Sequence, residues 1–147
     1  MSRRKRADRR EIMPDTRYNN VDVQSFINRI MKNGKKSVAT GLVYDAFDLM
    51  SERSGKDPLE LFQTAMKNTK PIMEVQPRRV GGATYQVPME VPGYRQFALA
   101  TRWIIAASRA RSGKSFSEKL AGELMDAANN AGSAVRRREE THRMAEA

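Results

Sequence analysis

The chain has 147 residues, about one ordinary domain, and its 27 Lys and Arg against 17 Asp and Glu give a net charge of +10. It contains no cysteine, which excludes disulfides and Cys-ligated zinc. No apolar run approaches the ~18–20 residues of a membrane span, and no apolar stretch follows the basic N-terminus to form a secretory signal. The charge excess favours a polyanionic partner.

Residues 1–19 are predicted to form an extended basic arm. Six of the first ten residues are Lys or Arg and one is acidic, so half of the net charge lies there. No apolar period precedes Val21, and Pro14 followed by Asp15 is typical of a turn. A block of one charge sign at a chain terminus is typical of a nucleic-acid-binding arm. Residues 20–147 are predicted to form a single helical domain.

Six helices are predicted in this domain from the spacing of apolar residues. Asp57 before Pro58, and Ser115 three residues before Glu118, are helix-starting caps. In the second helix the apolar stripe includes Val38. The predicted starts follow Asn20, Asp57, Ser115 and Ser133, and the predicted ends lie at Asn33 with Gly34, Gly55, Pro71 and Gly113.

Between residues 72 and 91 the pattern alternates, which predicts two β-strands. Gly81 and Gly82 lie at the centre and suit a two-residue hairpin loop in which both positions need a positive φ. Pro77 and Pro88 tolerate only edge positions, so the strands are predicted to form an isolated ribbon. A lone ribbon is marginal in water. We therefore expect its outer part to project and to be ordered by a partner.

Basic side chains recur at separate loops and ends of these elements. In the fourth helix, predicted over residues 94–111, three arginines spaced by seven form one stripe. Contacts on many sides suit a folded RNA, which presents several helices and junctions, better than a single flat duplex groove. The candidate RNA-binding residues are Arg3, Arg4, Lys5, Arg6, Arg9, Arg10, Lys35, Lys36, Arg78, Arg79, Arg95, Arg102, Arg109, Arg111, Lys114, Arg136, Arg137 and Arg138.

Catalytic constellations are not visible in this sequence. The Gly113, Lys114 and Ser115 run imitates the end of a phosphate-binding loop, but Ser108 stands where that loop needs its first glycine. The single histidine, His142, lies among charged residues and is predicted to be solvated or to face RNA. One histidine without cysteine cannot make a soft-metal site. We predict no enzyme activity, no metal and no cofactor.

The environments of two aromatic residues can also be predicted from the sequence. Trp103 lies on the apolar face of the fourth helix and is predicted to be a core residue. Tyr85 lies on the hairpin, where packing and stacking on a base are equally weighted alternatives.

Four segments resemble the bacterial small-subunit ribosomal protein S-seven family. They are VQPRRVGGATYQVP at residues 75–88, MKNGKKS at 31–37, ATRWI at 100–104 and RREETHRMAEA at 137–147. The resemblance extends over essentially the whole chain, in order. It implies a fold that agrees with the reading from the residues: mainly α, about six helices in one bundle-like domain, one protruding β-hairpin and a basic arm.

The resemblance also implies a function. Family members bind the 3′ major domain of small-subunit ribosomal RNA directly, start assembly of the subunit head, and lie near the tRNA exit site and the messenger path. The implied partners are this RNA, nearby tRNA and mRNA, and neighbouring head and platform proteins, with no membrane and no homo-oligomer. The implied location is the ribosome in a bacterial cytoplasm. The residues expected near the exit site are Arg78, Arg79, Gly81, Gly82, Tyr85 and Arg143.

Two other function classes compete with this reading. A DNA-binding helical module needs a basic recognition helix, but the second helix carries Asp45, Asp48 and Glu52. An enzyme needs a compact acid–base or metal cluster. The preferred hypothesis is a structural RNA-binding protein.

Overall fold

In the computed structural model, residues 4–146 are described, so two positions named above, Arg3 and Ala147, lie outside the described residues. The described chain is mainly α with one hairpin, which confirms the predicted fold class. No helix in this part of the chain is both long and apolar enough to cross a membrane. The elements are α1 Val21–Ile30, α2 Lys36–Ser54, α3 Pro58–Thr69, β1 Met73–Val80, β2 Ala83–Glu90, α4 Gly93–Ala110, α5 Phe116–Ala128 and α6 Ser133–Glu146.

Local side-chain caps fix where several helices begin. The Asn20 side chain accepts hydrogen bonds from two backbone amides of the first turn of α1. Asp57 and Ser115 cap α3 and α5 in the same way, so these three predicted starts are confirmed. The start of α6 differs from its prediction by one residue: the helix includes Ser133, because the Arg136 amide donates to the carbonyl of Gly132. The end of α1 differs from its prediction, because the helix stops at Ile30 and Asn33 forms the following turn in the left-handed region, with φ 56°.

The core lies where the apolar faces of the six helices meet. Phe26, Phe47 and Phe62 have no exposed surface, and their rings contact each other at centroid distances of 5.3 and 5.5 Å. The prediction that Val38 lies on the buried stripe of α2 is wrong. Val38 is 58% exposed, because Ala39, the next residue, occupies the buried position on the helix.

The hairpin is an antiparallel two-stranded sheet in which Arg78 pairs with Tyr85 and Val80 with Ala83. Gly81 and Gly82 have φ values of 60° and 85°, which confirms the predicted turn. Burial is confined to the base of the ribbon, and its outer part is exposed on both faces.

The arm turns onto the helices at Asp15, which is only 2% exposed. Its carboxylate accepts hydrogen bonds from the Arg17, Tyr18 and Asn20 amides and from the Tyr44 hydroxyl of α2. Burial alone would raise the pKa of Asp15, but these hydrogen bonds together lower it. The end of the segment 1–19 is therefore docked on the domain, and the boundary at residue 20 stays a prediction.

Candidate nucleic-acid interface

The predicted cations lie on several surfaces of the molecule and not on one face. Arg95, Arg111 and Arg138 are partly buried and form ion pairs or hydrogen bonds that join elements of the fold. The others among the described residues are exposed, and they are Arg4, Lys5, Arg6, Arg9, Arg10, Lys35, Lys36, Arg78, Arg79, Arg102, Arg109, Lys114, Arg136 and Arg137.

A first groove, of about 790 Å³, lies between the arm, α1 and the start of α4; we call it the arm groove. The guanidinium of Arg9 lies 5.7 Å from the ring centroid of Tyr94, and Lys70 lies 5.8 Å from that of Phe97. Arg29 also lines this groove. Arg29 and Lys70 were not predicted, and no sequence signal separates them from other surface cations.

A second groove, of about 770 Å³, lies between β1, α4 and α6; we call it the hairpin groove. Arg102 and Arg137 line it from two different helices, and Glu140 is an acidic member of its lining. Trp103 is half-buried, packs against the core and also lines this groove. Its predicted core role is thus correct for part of the ring, while the rest is accessible.

A third groove, of about 350 Å³, lies where the α1–α2 turn meets the end of α4 and the start of α5. Lys32, Lys35 and Arg109 line it together with apolar side chains. The predicted stripe on α4 therefore divides, since Arg102 faces the hairpin groove and Arg109 this one.

The third member of that stripe, Arg95, forms a bidentate ion pair with Glu74 of β1. Its Nε donates to Oε1 at 2.6 Å and its Nη2 to Oε2 at 3.1 Å. The Arg95 guanidinium lowers the pKa of Glu74 against the opposing effect of burial. Arg95 therefore joins α4 to the hairpin base.

Arg111 lies at the corner between α4 and α5 and contacts two carboxylates. Its Nη1 donates to Glu123 Oε2 at 3.1 Å and to Asp126 Oδ2 at 2.7 Å. Hydrogen bonding to Asp126 chiefly raises the pKa of Arg111. The Glu123 side chain is 2% exposed, and its other oxygen accepts the amide of Ala134 at 2.9 Å, at the start of α6. We call Arg111, Glu123 and Asp126 the corner cluster.

The corner cluster crowds the space that a side chain would need on two glycines beside it. A Cβ on Gly122 would lie 2.8 Å from Arg111 Nε, and one on Gly132 would lie 3.0 Å from Glu123 Oε1. Sequence reasoning missed Glu123. The available signal was an acidic residue three positions after Leu120, on the apolar face of a helix, where a charge needs a partner.

Arg138 also has a partner far away in sequence. Its Nη1 donates to the backbone carbonyl of Asn68 at 2.6 Å, and its side chain is only 20% exposed. The side-chain amide of Asn68 in turn donates to the backbone carbonyl of Ala127 at 2.8 Å. Arg138 thus bonds α6 to the end of α3, while Arg136 and Arg137 on the same helix are exposed.

The prediction that His142 is simply solvated or facing RNA is wrong for its Nε2 atom. That atom accepts the backbone amide of Ile72 at 3.0 Å, and the residue is half-buried. Ile72 directly precedes β1, so His142 bonds α6 to the hairpin base. In the described part of the chain, no group of three His, Cys, Asp or Glu side chains is placed to hold a metal.

At the outer hairpin, Arg78 and Arg79 are exposed, and Tyr85 is 56% exposed. Arg78 Nη2 lies 3.6 Å from the sulfur of Met89. Of the two alternatives for Tyr85, the free protein leaves its ring accessible for stacking.

Comparison with known proteins identifies the family. The family model described as ribosomal protein S7p/S5e matches residues 2–147. The chain belongs to the ribosomal protein S7p/S5e family. It is therefore a structural protein of the ribosome that serves translation, and not an enzyme.

Relatives at high identity agree with this assignment, and each is named small ribosomal subunit protein uS7. The relative from Prochlorococcus marinus (strain NATL1A) is 58% identical, that from Synechococcus sp. (strain WH7803) 60%, and that from Desulfatibacillum aliphaticivorans 56%. Each match covers 100% of this chain and 94% of the relative.

Proposed function

We propose that this protein is a structural component of the small ribosomal subunit that binds the 3′ major domain of the ribosomal RNA directly and begins assembly of the head. The observation that carries this proposal is the family match over residues 2–147, with relatives named as small-subunit proteins. The same proposal places the protein in the ribosomes of a bacterial cytoplasm, as a single copy beside head and platform proteins.

The placement of the exposed cations supports binding to a folded RNA. The arm groove, the hairpin groove and the groove at Arg109 open between different pairs of elements. RNA helices that converge at a junction present phosphates from several directions, and a protein with cations on several surfaces can neutralise them together. The proposed role of the protein is to neutralise these phosphates, so that the RNA helices can approach each other and the junction can close.

The proposed RNA contacts are the exposed cations of the arm, the α1–α2 turn, the hairpin, α4 and α6. Arg111 and Arg138 are proposed to contribute mainly by stabilising the fold, because carboxylates or a carbonyl already bind their guanidinium groups. Arg29 and Lys70 join the proposed contacts, since they line the arm groove beside Arg9.

The outer hairpin is proposed to lie towards the tRNA exit site and the messenger path. Arg78, Arg79 and Tyr85 are exposed there, on a ribbon whose two-glycine turn leaves its tip narrow. Arg143 is exposed near the end of α6, whose last turns lie beside the hairpin base through His142. These groups suit contact with phosphates and with unpaired bases.

The test is a binding series with a fragment of the 3′ major domain, a scrambled RNA of equal length and a duplex DNA. We expect a preference for the fragment that survives physiological salt. If ~6–10 phosphates are contacted, affinity should fall by roughly 10³–10⁵ between 50 and 200 mM salt, by the relation for duplex DNA. Equal binding to all three nucleic acids, lost together as salt rises, would contradict the proposal.

A further inference from the structure

The hairpin is a projecting ribbon, and its direction depends on its base. From Gln76 to Gln86 the ribbon is exposed on both faces. An isolated two-stranded ribbon is marginally stable in water, so the helices beside its base must determine where it points.

Side chains from two helices bind the hairpin base. From α4, Arg95 pairs with Glu74 through two hydrogen bonds, and the side-chain amide of Gln96 donates to the carbonyl of Val91 at 3.1 Å. From α6, His142 accepts the amide of Ile72 at 3.0 Å. The two chain ends of the ribbon are joined to each other as well, since the amide of Val91 donates to the carbonyl of Ile72 at 2.9 Å.

We propose that Arg95, Gln96 and His142 are positioning residues that aim the hairpin, and that Arg95 supports RNA binding through this orientation and not by touching phosphate. The bonds act on both sides of the base, because α4 binds β1 and the residue after β2 while α6 binds the residue before β1. The consequence for RNA binding rests on the proposed function; the orientation itself does not.

A small change of angle at the base of the hairpin produces a large displacement of its tip. Gly81 lies seven positions after Glu74, which is about 23 Å along the strand. A tilt of about 10° at the base would therefore move the tip by about 4 Å, on that strand length. Such a displacement exceeds what a hydrogen bond from Arg78 or Arg79 to RNA can tolerate.

Arg95 and Arg102 offer a matched pair for the test, because both are arginines on α4, seven residues apart. Arg95 is bound by Glu74, whereas Arg102 is exposed and lines the hairpin groove. The positioning role predicts different results for Arg95→Gln and Arg102→Gln in two measurements: the orientation of the ribbon in the free protein, and the salt dependence of RNA binding.

The orientation is measured with two spin labels in the full chain. Because the chain has no cysteine, Asp45→Cys on α2 and Thr84→Cys near the tip give one defined label pair, both at exposed positions. We expect Arg95→Gln and His142→Ala to shift or broaden the distance distribution, and Arg102→Gln to leave it unchanged. Arg95→Lys keeps the charge but loses the planar fork, so it should broaden the distribution too.

RNA binding to the fragment of the 3′ major domain supplies the second readout. Loss of one phosphate contact lowers the slope of log affinity against log salt by about 0.7–0.9. We expect this change for Arg102→Gln. For Arg95→Gln we expect a lower affinity and a lower slope only while Arg78 and Arg79 are present, because Arg95 acts through the aim of their side chains. In a background of Arg78→Gln with Arg79→Gln, Arg95→Gln should leave the slope unchanged, whereas Arg102→Gln should still lower it.

Two results would overturn the proposal. One is an unchanged distance distribution in both Arg95→Gln and His142→Ala; the other is a slope change from Arg95→Gln that persists when Arg78 and Arg79 are already Gln. Circular dichroism of each variant establishes that the helices are intact, and Arg95→Lys provides the milder change if Arg95→Gln unfolds. If the wild-type chain shows no preference for the fragment, the proposed function fails, while the distance distributions still decide the orientation.

Discussion

Arginine side chains form internal ion pairs at the α4–α5 corner but are exposed on the outer hairpin. Arg111 has a side chain 35% exposed and binds two carboxylates, one of them on the buried Glu123. Arg78 and Arg79 are exposed on a ribbon that projects from the core, where Arg78 lies near the sulfur of Met89. An arginine beside a buried acidic side chain stabilises the fold, whereas an arginine on a projecting strand stays available to bind a partner.

Glu123 should give the largest effect, because it is the buried member of the corner cluster. Removing its carboxylate in Glu123→Ala leaves Arg111 with one partner and the Ala134 amide with none. We expect a loss of about 2–3 kcal/mol, at the lower end of what breaking a buried pair costs because Arg111 keeps Asp126. Urea unfolding measures this. The control is Asp126→Ala. The Asp126 side chain is 43% exposed, so this substitution should lower the free energy of unfolding by about 1 kcal/mol or less.

Equal losses in the Glu123→Ala and Asp126→Ala variants would contradict the distinction between the buried and the exposed carboxylate. Glu123→Gln separates the two roles of the side chain, since an amide oxygen can still accept the Ala134 N–H. We expect it to lose less than Glu123→Ala.

The corner and the hairpin also differ in how much space surrounds their glycines, Gly132 and Gly81. Gly132 has φ 93°, and its added Cβ would lie 3.0 Å from Glu123 Oε1 and 3.1 Å from Asp126 Cβ. Gly81 has φ 60° with nothing within 4 Å of an added Cβ. We expect Gly132→Ala to cost about 2–3 kcal/mol from strain and crowding, and Gly81→Ala about 1–2 kcal/mol from backbone strain alone. Thermal and urea unfolding of the two variants measure the difference, and a larger loss at Gly81 would refute it.

Acid should weaken the regions that depend on buried carboxylates. The pKa of Glu74 is lowered by Arg95, and that of Asp15 is lowered by its hydrogen bonds despite burial. A carboxylate with a lowered folded pKa stabilises the protein fully above its unfolded value, about 4, and this stability is lost as pH falls through the folded pKa. Unfolding in urea at pH 6 and pH 3 measures the loss. Asp15→Asn should be less stable than wild type at pH 6 and should lose less between the two pH values; parallel losses would exclude this role.

Local signals in the sequence predict much of this fold. The caps at Asn20, Asp57 and Ser115 act on amides within three residues, and the Gly81 and Gly82 turn needs only its own two φ angles. Both depend on neighbours in sequence, so they can be read from a single chain.

The roles of individual charges depend on distant partners and could not be predicted. Asp15 is bound by Tyr44, 29 residues away, and Arg138 by Asn68, 70 residues away. The seven-residue spacing on α4 correctly places three arginines along one helix. The first and last of these arginines are roughly 21 Å apart along the helix, and different elements pack beside each one. Arg95 therefore pairs with Glu74, Arg102 lines the hairpin groove, and Arg109 lines the third groove.

The smallest effect on stability is expected at the outer hairpin. A double variant, Arg78→Gln with Arg79→Gln, removes two exposed charges without opening a cavity or orphaning a buried group, so unfolding should shift by less than about 0.5 kcal/mol. Under the proposed function the same variant should lower the salt slope of RNA binding by up to about 1.4–1.8, which corresponds to two phosphate contacts.

Arg111→Gln supplies the reverse case, since it should lower stability and leave the salt slope unchanged. The two variants together distinguish arginines that fold the protein from arginines that meet RNA. A salt slope that changes with Arg111→Gln and not with the hairpin pair would reverse the assignment of both regions, and it would mean that internal ion pairs at the corner exchange for phosphate when RNA binds.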